Sequence, residues 1–244
     1  MTERRDGDRD FHRYLWGRLA LEVGNRISRE GLPLVAILAA GATAPQLGLL
    51  AALTMLPSVV LGPPVGAWTD RRRRQPILVA AAGLRSALLL TIPVAAWLHH
   101  LSFALVATVA VGEAAAALCF GVADRAYLPT VAPGSLLGAN SLLSGAEAVG
   151  ETTGPTVLGA LVQWLGAPLA MVWDALGSLV AAVLLAAIRR PEPRPAATPG
   201  AGATRWSDGL GVLAGQPVLR VLAAVLMGES FFGGFSPRSM NSMP

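Results

Sequence analysis

Residues 66–76 read Gly-Ala-Trp-Thr-Asp-Arg-Arg-Arg-Arg-Gln-Pro, and they connect two long apolar stretches, residues 46–67 and 77–98. Each stretch supplies the roughly 20 residues that an α-helix needs to cross about 30 Å of hydrocarbon. Four consecutive arginines in a short connection are typical of the cytoplasmic side of a membrane protein. This part of the sequence therefore predicts two membrane-spanning helices joined by a cytoplasmic loop.

The composition of the whole chain indicates a membrane protein. Of its 244 residues, 53% are hydrophobic and 14% are charged, and the mean hydropathy is +0.54. A soluble domain carries about a quarter charged residues, so a soluble enzyme is excluded. The net charge of +4 is then assigned to membrane loops and not to a nucleic-acid interface.

The basic residues are all arginine, and the absence of lysine removes several kinds of chemistry. Without lysine the chain has neither a Walker-A phosphate loop nor a Schiff base with retinal or pyridoxal phosphate. The single Cys119 and the three histidines offer neither a disulfide framework nor a metal-ligand cluster. We therefore expect no cofactor, no metal site and no enzymatic activity.

Further apolar stretches follow the opening pair, and a charged one precedes it. The later stretches are residues 101–122, 137–165, 168–188 and the shorter 218–235, and the charged one is residues 14–39. The first four charges of residues 14–39, at positions 18, 22, 26 and 29, fall on one helical stripe and can face a cavity instead of lipid. The alternative is an amphipathic helix on the membrane surface.

The loop charges favour a spanning first helix. With seven spans, thirteen arginines lie on one side of the membrane and only Arg238 lies on the other. The arginine-rich side holds the N-terminus, the 70–75 loop, the 124–135 loop and the 189–208 linker. The positive-inside rule then places the N-terminus in the cytoplasm.

The loop after the second predicted helix also carries a motif. Gly66, Asp70, Arg71 and Arg74 match the signature of the major facilitator superfamily, which the chain resembles, whereas Arg73 and Gln75 depart from it. The resemblance implies that Asp70 and its arginines gate the change between outward-open and inward-open states. The alternative is that the arginines only anchor the loop on the cytoplasmic side.

The fifth predicted helix extends the resemblance. Its residues Gly150, Gly154, Pro155 and Gly159 match in part a glycine-rich run that is typical of proton-coupled exporters in the superfamily. Residues 61–63, 125–129, 138–142 and 174–178 look like the drug- and siderophore-exporter branch. Ordinary close packing of helices through small residues explains the glycines about as well.

Acidic residues at membrane depth are the candidates for chemistry. They are Glu22 and, in the fourth and fifth predicted helices, Glu113, Glu147 and Glu151, with Arg26 as a basic neighbour. An ionised acid at the bilayer centre costs about 3 kcal/mol or more, so such a group faces a cavity or a partner. Proton coupling by at least one of them is the functional hypothesis. Structural pairing of Glu22 with Arg26, or of Glu113 with Arg26 or Arg85, is the alternative, and we expect Asp174 to be structural.

These observations predict an all-α membrane protein of bacterial origin, located in the plasma membrane. We expect residues 1–13 to be a cytoplasmic N-terminus and 14–188 the six-helix N-terminal half of a major-facilitator-type fold. A Pro- and Gly-rich linker, 189–208, then leads to an interfacial segment and helix 7 at 209–235, and the tail 236–244 continues no transporter pattern.

The predicted function is proton-coupled export of small organic molecules across the lipid bilayer, by a chain that is truncated and possibly inactive. The expected partners are the substrate, protons and a missing C-terminal half or a second copy. The alternatives are a seven-helix receptor or sensor and a half-transporter that acts as a homodimer. An intramembrane enzyme would need a metal cluster or a serine–histidine pair at membrane depth, and the sequence offers neither.

Overall fold

The computed structural model describes residues 2–131 and 136–188, and within them the chain forms six α-helices and no strand. The helices are α1 (Thr2–Leu38), α2 (Ala44–Thr69), α3 (Arg74–Trp97), α4 (Phe103–Val131), α5 (Leu136–Leu165) and α6 (Ala167–Ala186). Each contains most of one stretch that the sequence predicts as a helix. The all-α fold class is therefore confirmed for this part of the chain.

Among the described helices, α2, α3, α4 and α6 are long and apolar enough to cross a membrane. The two others, α1 and α5, carry the charges that the sequence placed on one stripe or at membrane depth. Because α1 and α5 are not among these candidate spans, the presence of six membrane-spanning helices remains a prediction. The linker 189–208, the predicted seventh helix and the tail 236–244 lie outside the described residues.

Two helix boundaries differ from the sequence prediction. The first helix begins at Thr2 instead of Tyr14, and α4 continues to Val131 instead of ending at Val122. Acidic and basic residues alternate before Tyr14, and pairs three or four positions apart stabilise a helix, as Arg13 and Asp10 do here at 3.1 Å. Asp124 consequently lies in a helix and not in a loop.

The helices pack in a pattern with internal symmetry. The most extensive contacts are those of α1 with α6 and α3 with α6, followed by α3 with α4, α1 with α5 and α2 with α4. If α1, α2 and α3 are exchanged with α4, α5 and α6, the α1–α6 contact becomes α3–α4, the α1–α5 contact becomes α2–α4, and the α3–α6 contact is unchanged. By these five contacts, α1–α3 and α4–α6 form two repeats of three helices in the described residues, although the α5–α6 contact has no α2–α3 counterpart of similar extent.

The α1–α6 contact is made through glycines. Gly17, Gly24 and Gly31 recur every seven residues, so they share one face of α1. A Cβ added to Gly24 would collide with Asp174 of α6, and a Cβ on Gly177 of α6 would lie 2.7 Å from the Ala20 carbonyl oxygen. The two backbones thus approach as closely as only glycine permits.

The apolar core forms two clusters. One contains Tyr14, Leu78 and Tyr127 and lies toward the chain's arginine-rich loop, and the other contains Leu89 and Met171. Along α3 and α4, polar residues interrupt the apolar run between the two clusters. That interruption is where the candidate site lies.

Candidate functional site

A cavity of about 1010 Å³ lies between α1, α2 and α4. Its polar lining residues are Asn25, Ser28 and Arg29 of α1, Thr54 and Ser58 of α2, and Glu113 and Arg125 of α4. The remainder of the wall is apolar and includes Leu50, Met55 and Leu118. A mixed lining of this kind suits a small amphipathic molecule, because apolar walls provide the burial and a few polar groups provide orientation.

Arg85 of α3 is the centre of a buried polar network beside this cavity. Its Nη2 lies 2.7 Å from Glu113 Oε1 and 3.5 Å from Asp174 Oδ2 of α6. The same nitrogen donates a hydrogen bond to Asn25 Oδ1 at 3.3 Å. The Arg85 side chain is 1% exposed and that of Asp174 is 0% exposed, so this cation is shared between two carboxylates away from water.

Asp174 has further partners that Glu113 does not share. The hydroxyl of Ser28 donates a hydrogen bond to Asp174 Oδ2, and Ser178 donates to Oδ1 at 3.2 Å. The two repeats contribute equivalent helices to this network, because Asn25 and Glu113 come from α1 and α4, and Arg85 and Asp174 come from α3 and α6. The network therefore links the two repeats at their common interface.

A second cluster ties the first part of α1 to α4 and α5. The Tyr14 hydroxyl donates a hydrogen bond to Asp124 Oδ1 at 2.6 Å, and Arg18 Nε lies 3.4 Å from Asp124 Oδ2. Arg18 Nη2 also lies 3.5 Å from Glu147 Oε1, and its guanidinium lies 5.8 Å from the centre of the Phe120 ring. The sequence predicts a loop at Asp124, and this prediction is wrong because Asp124 is buried within α4.

A third cluster joins the middle of α1 to α5. Arg26 forms an ion pair with Glu151 and lies 3.9 Å from Glu22. The α5 glycines permit this contact, because a Cβ on Gly154 would lie 2.6 Å from the Arg26 Cβ and one on Gly150 would lie 3.4 Å from the Glu22 Cγ. Gly159 has open space where its Cβ would be, so the close approach involves only part of the predicted motif, which also includes Pro155.

The sequence-predicted acids thus fall into different environments. Glu113 lines the cavity, whereas Glu22, Glu147 and Glu151 are not among the residues that line it in the described part of the chain. The side chains of Glu147 and Glu151 are 50% and 61% exposed, against 13% for Glu113.

The predicted gating residues lie at the connection of α2 and α3. Gly66 accepts a hydrogen bond from the Asp70 backbone N–H at 3.0 Å, which ends α2, and Arg74 begins α3. Arg73 has φ −65° and ψ 133°, an extended conformation that any residue adopts. The turn therefore forms without the glycine that the superfamily signature has at this position. Arg72 stacks over Trp68, 5.5 Å from the ring centre.

Two residues at the centre of the site, Arg85 and Asp174, are not among the site residues that the sequence predicts. The sequence predicts Arg85 only as a possible partner of Glu113, and Asp174 only as a structural residue. The signal for Arg85 was present, because it is the one charge within the apolar stretch 77–98. The spacing of Gly17, Gly24 and Gly31 was the signal for a buried α6, since it predicts a helix packed closely on α1.

The Major Facilitator Superfamily model matches residues 24–241 of the chain. The chain belongs to this superfamily. No curated relative matches it, and no solved structure matches it. Members of the superfamily are membrane transporters, so this chain is a multi-pass membrane protein of the transporter class, and its cavity is a candidate site for a small-molecule substrate.

Proposed function

We propose that this superfamily member is a proton-coupled exporter of small organic molecules in the plasma membrane, with its N-terminus in the cytoplasm. The observation that carries the proposal is the position of Glu113, whose carboxylate lines the cavity and also pairs with the buried Arg85. One acidic group can then respond both to a proton and to the substrate. Such a shared position is what coupling between the two requires.

The charge count of the network supports a bound proton. Among the described residues, Arg85 is the cation within ion-pair distance of Glu113 and Asp174, so one positive charge is paired with two negative charges when both acids are ionised, and Arg29 acts on Glu113 only from beyond that distance. An unpaired charge in a low-dielectric interior is expensive, so protonation of one carboxyl group is favoured. Asp174 accepts hydrogen bonds from Ser28 and Ser178, which stabilise its ionised form. The proton is therefore assigned to Glu113.

The charged neighbours of Glu113 come from three helices. They are Arg85 on α3, Asp174 on α6 and Arg29 on α1. Protonation of Glu113 removes its ion pair with Arg85, which leaves Arg85 paired with Asp174 and hydrogen-bonded to Asn25. This loss of one partner changes the contact between α3 and α4, and in our proposal that change shifts the transporter between its two access states.

The other predicted residues take supporting roles in this proposal. The loop residues Asp70, Arg71 and Arg74, together with Gly66, gate the cytoplasmic side at the connection of α2 and α3. Gly150 and Gly154 of α5 provide the close contact with α1. Secondary transporters rock two halves around a central site, so the proposal includes a second six-helix half or a second copy of the chain.

The test uses the chain reconstituted in vesicles with an imposed proton gradient and a panel of fluorescent organic dyes. We expect gradient-driven dye movement that Glu113→Gln uncouples, while the matched variants Glu147→Gln and Glu151→Gln retain it. Retained coupling in Glu113→Gln overturns the proton assignment. Absence of gradient-driven movement, both for the chain alone and together with a superfamily C-terminal half, overturns the exporter proposal.

A second measurement examines the proton without transport. Infrared difference spectra recorded across a pH titration should contain the carbonyl stretch of a protonated carboxyl group that is missing in Glu113→Gln. If Glu113→Gln still shows this band, the proton is bound to a carboxyl group other than Glu113. This readout also applies if the 244-residue chain binds protons but does not transport.

A further inference from the structure

A second concave site lies on the outside of the helix bundle, at the first turns of α1 and the last turn of α6. Its volume is about 550 Å³, and its lining residues are Arg9, His12, Arg13, Trp16 and Leu184. It is separate from the cavity between α1, α2 and α4, with which it shares no lining residue. Neither the superfamily match nor the transport proposal gives this groove a role.

The groove is built from one face of α1. Arg9 and Arg13 are four residues apart, as are His12 and Trp16, so these two pairs form neighbouring rows on one side of α1. Trp16 is 61% exposed, although the rest of this helical turn includes the buried Tyr14. An exposed tryptophan beside arginines is the arrangement found at a membrane–water interface.

Arg13 holds the groove in place. Its Nη1 donates a hydrogen bond to the Ala187 carbonyl oxygen at 2.8 Å, at the end of α6, and pairs with Asp10 Oδ1 at 3.1 Å. Cations at the C-terminus of a helix are favoured by the helix dipole. The N-terminal extension of α1 is thereby fastened to α6, so Arg9, His12 and Trp16 are presented on a defined surface and not on a free terminus.

The groove combines an apolar floor with a basic rim. The surface that lines it is almost entirely apolar and comes from Trp16, Leu184 and the carbon atoms of Arg9, His12 and Arg13, so the polar ends of these last three residues lie at its rim. The arginine-rich side of this chain is the side assigned to the cytoplasm, and the cytoplasmic leaflet carries the anionic lipids. We propose that this groove binds an anionic phospholipid, with the phosphate beside Arg9 and His12 and the acyl chain along Trp16 and Leu184.

The proposal rests on the cytoplasmic orientation proposed above but not on transport, so it can be tested by binding alone. The full chain is placed in lipid nanodiscs of phosphatidylcholine with increasing phosphatidylglycerol, and retained lipid is counted by native mass spectrometry. We expect preferential retention of phosphatidylglycerol, and an approximately fivefold loss of that preference in Arg9→Gln, because each arginine near an anionic surface contributes a factor of this order. His12→Gln should weaken retention as well, and Trp16→Ala should weaken it for both lipids.

The control is Arg73→Gln, which removes an equal charge from the exposed loop before α3. If Arg73→Gln lowers retention as much as Arg9→Gln, the effect is one of general surface charge and the proposed site is wrong. Inorganic phosphate is added in a separate arm. Displacement of the phospholipid by millimolar phosphate would identify an anion site without lipid specificity and would also overturn the proposal. Size-exclusion chromatography establishes that each variant is folded.

Discussion

The guanidinium of Arg85 lies 2.7 Å from the carboxylate of Glu113, and both groups are inside the helix bundle. Removing the cation leaves Glu113 and Asp174 buried without their shared partner. We expect Arg85→Gln to lower the free energy of unfolding by about 3–5 kcal/mol, because breaking a buried ion pair from one side costs this much. Thermal unfolding of the purified chain in detergent measures the effect.

The exposed Arg73 supplies the matched control for that experiment. Arg73→Gln removes the same charge from the loop and should change stability by no more than about 0.5 kcal/mol. The double variant Arg85→Gln/Asp174→Asn should recover part of the lost stability, since it removes one unpaired charge. Equal unfolding temperatures for the wild type and Arg85→Gln would contradict the buried network.

The α5 glycines differ in the space around them, and this difference predicts unequal effects of alanine. Gly154→Ala places a Cβ 2.6 Å from the Arg26 Cβ, whereas Gly159→Ala meets open space. Forcing an extra methyl group into a packed contact costs about 1–3 kcal/mol. We expect Gly154→Ala to lower the unfolding temperature and Gly159→Ala to leave it unchanged or to raise it slightly. A similar loss for both variants would show that the glycines act through helix flexibility.

The backbone of the turn before α3 predicts that placing the superfamily glycine at position 73 does not increase stability. Arg73 already has an extended backbone, so Arg73→Gly relieves no strain. Glycine in its place increases the entropy of the unfolded chain, and we expect a loss of about 0.5–1 kcal/mol. Chemical denaturation in mixed micelles measures the change. An increase in stability would mean that the loop needs a left-handed residue.

At the end of α3, in contrast, a glycine is expected to increase stability. His99 has φ +56°, the one non-glycine residue with positive φ among those the structure describes. The left-handed conformation costs a residue with a Cβ about 1–2 kcal/mol, so His99→Gly should stabilise the chain by up to about 1 kcal/mol. His100→Gly, at the neighbouring position, should instead be neutral or destabilising. The two unfolding temperatures, measured side by side, decide between strain relief and a general effect of glycine.

The positions of the helices were predictable because hydropathy depends only on local sequence. The orientation of α1 was predictable for a related reason. Charges at positions 18, 22 and 26 lie on one stripe, and the structure places Arg18, Glu22 and Arg26 against α4 and α5 with side chains less than 20% exposed. A charged stripe in an otherwise apolar helix has one low-energy orientation, which faces partner groups.

The partners themselves were not predictable from one sequence. Whether Arg85 meets Glu113, Asp174 or both depends on how α3, α4 and α6 are rotated about their axes, and hydropathy does not determine this rotation. The predicted end of α4 was wrong for a different reason. The polar pair Asp124 and Arg125 resembles a loop in sequence, but Asp124 is buried because Tyr14 and Arg18 of α1 satisfy its carboxylate.

The contact between Gly177 and the Ala20 carbonyl oxygen also has a genetic consequence. A Cβ at position 177 would lie 2.7 Å from a backbone atom of α1, which cannot rotate away as a side chain can. Every missense change in a glycine codon adds a Cβ, so no amino-acid replacement at this position fits the contact. A saturation-mutagenesis library selected for folded protein should therefore return only synonymous codons at position 177, while the exposed position 73 in the same library tolerates most residues.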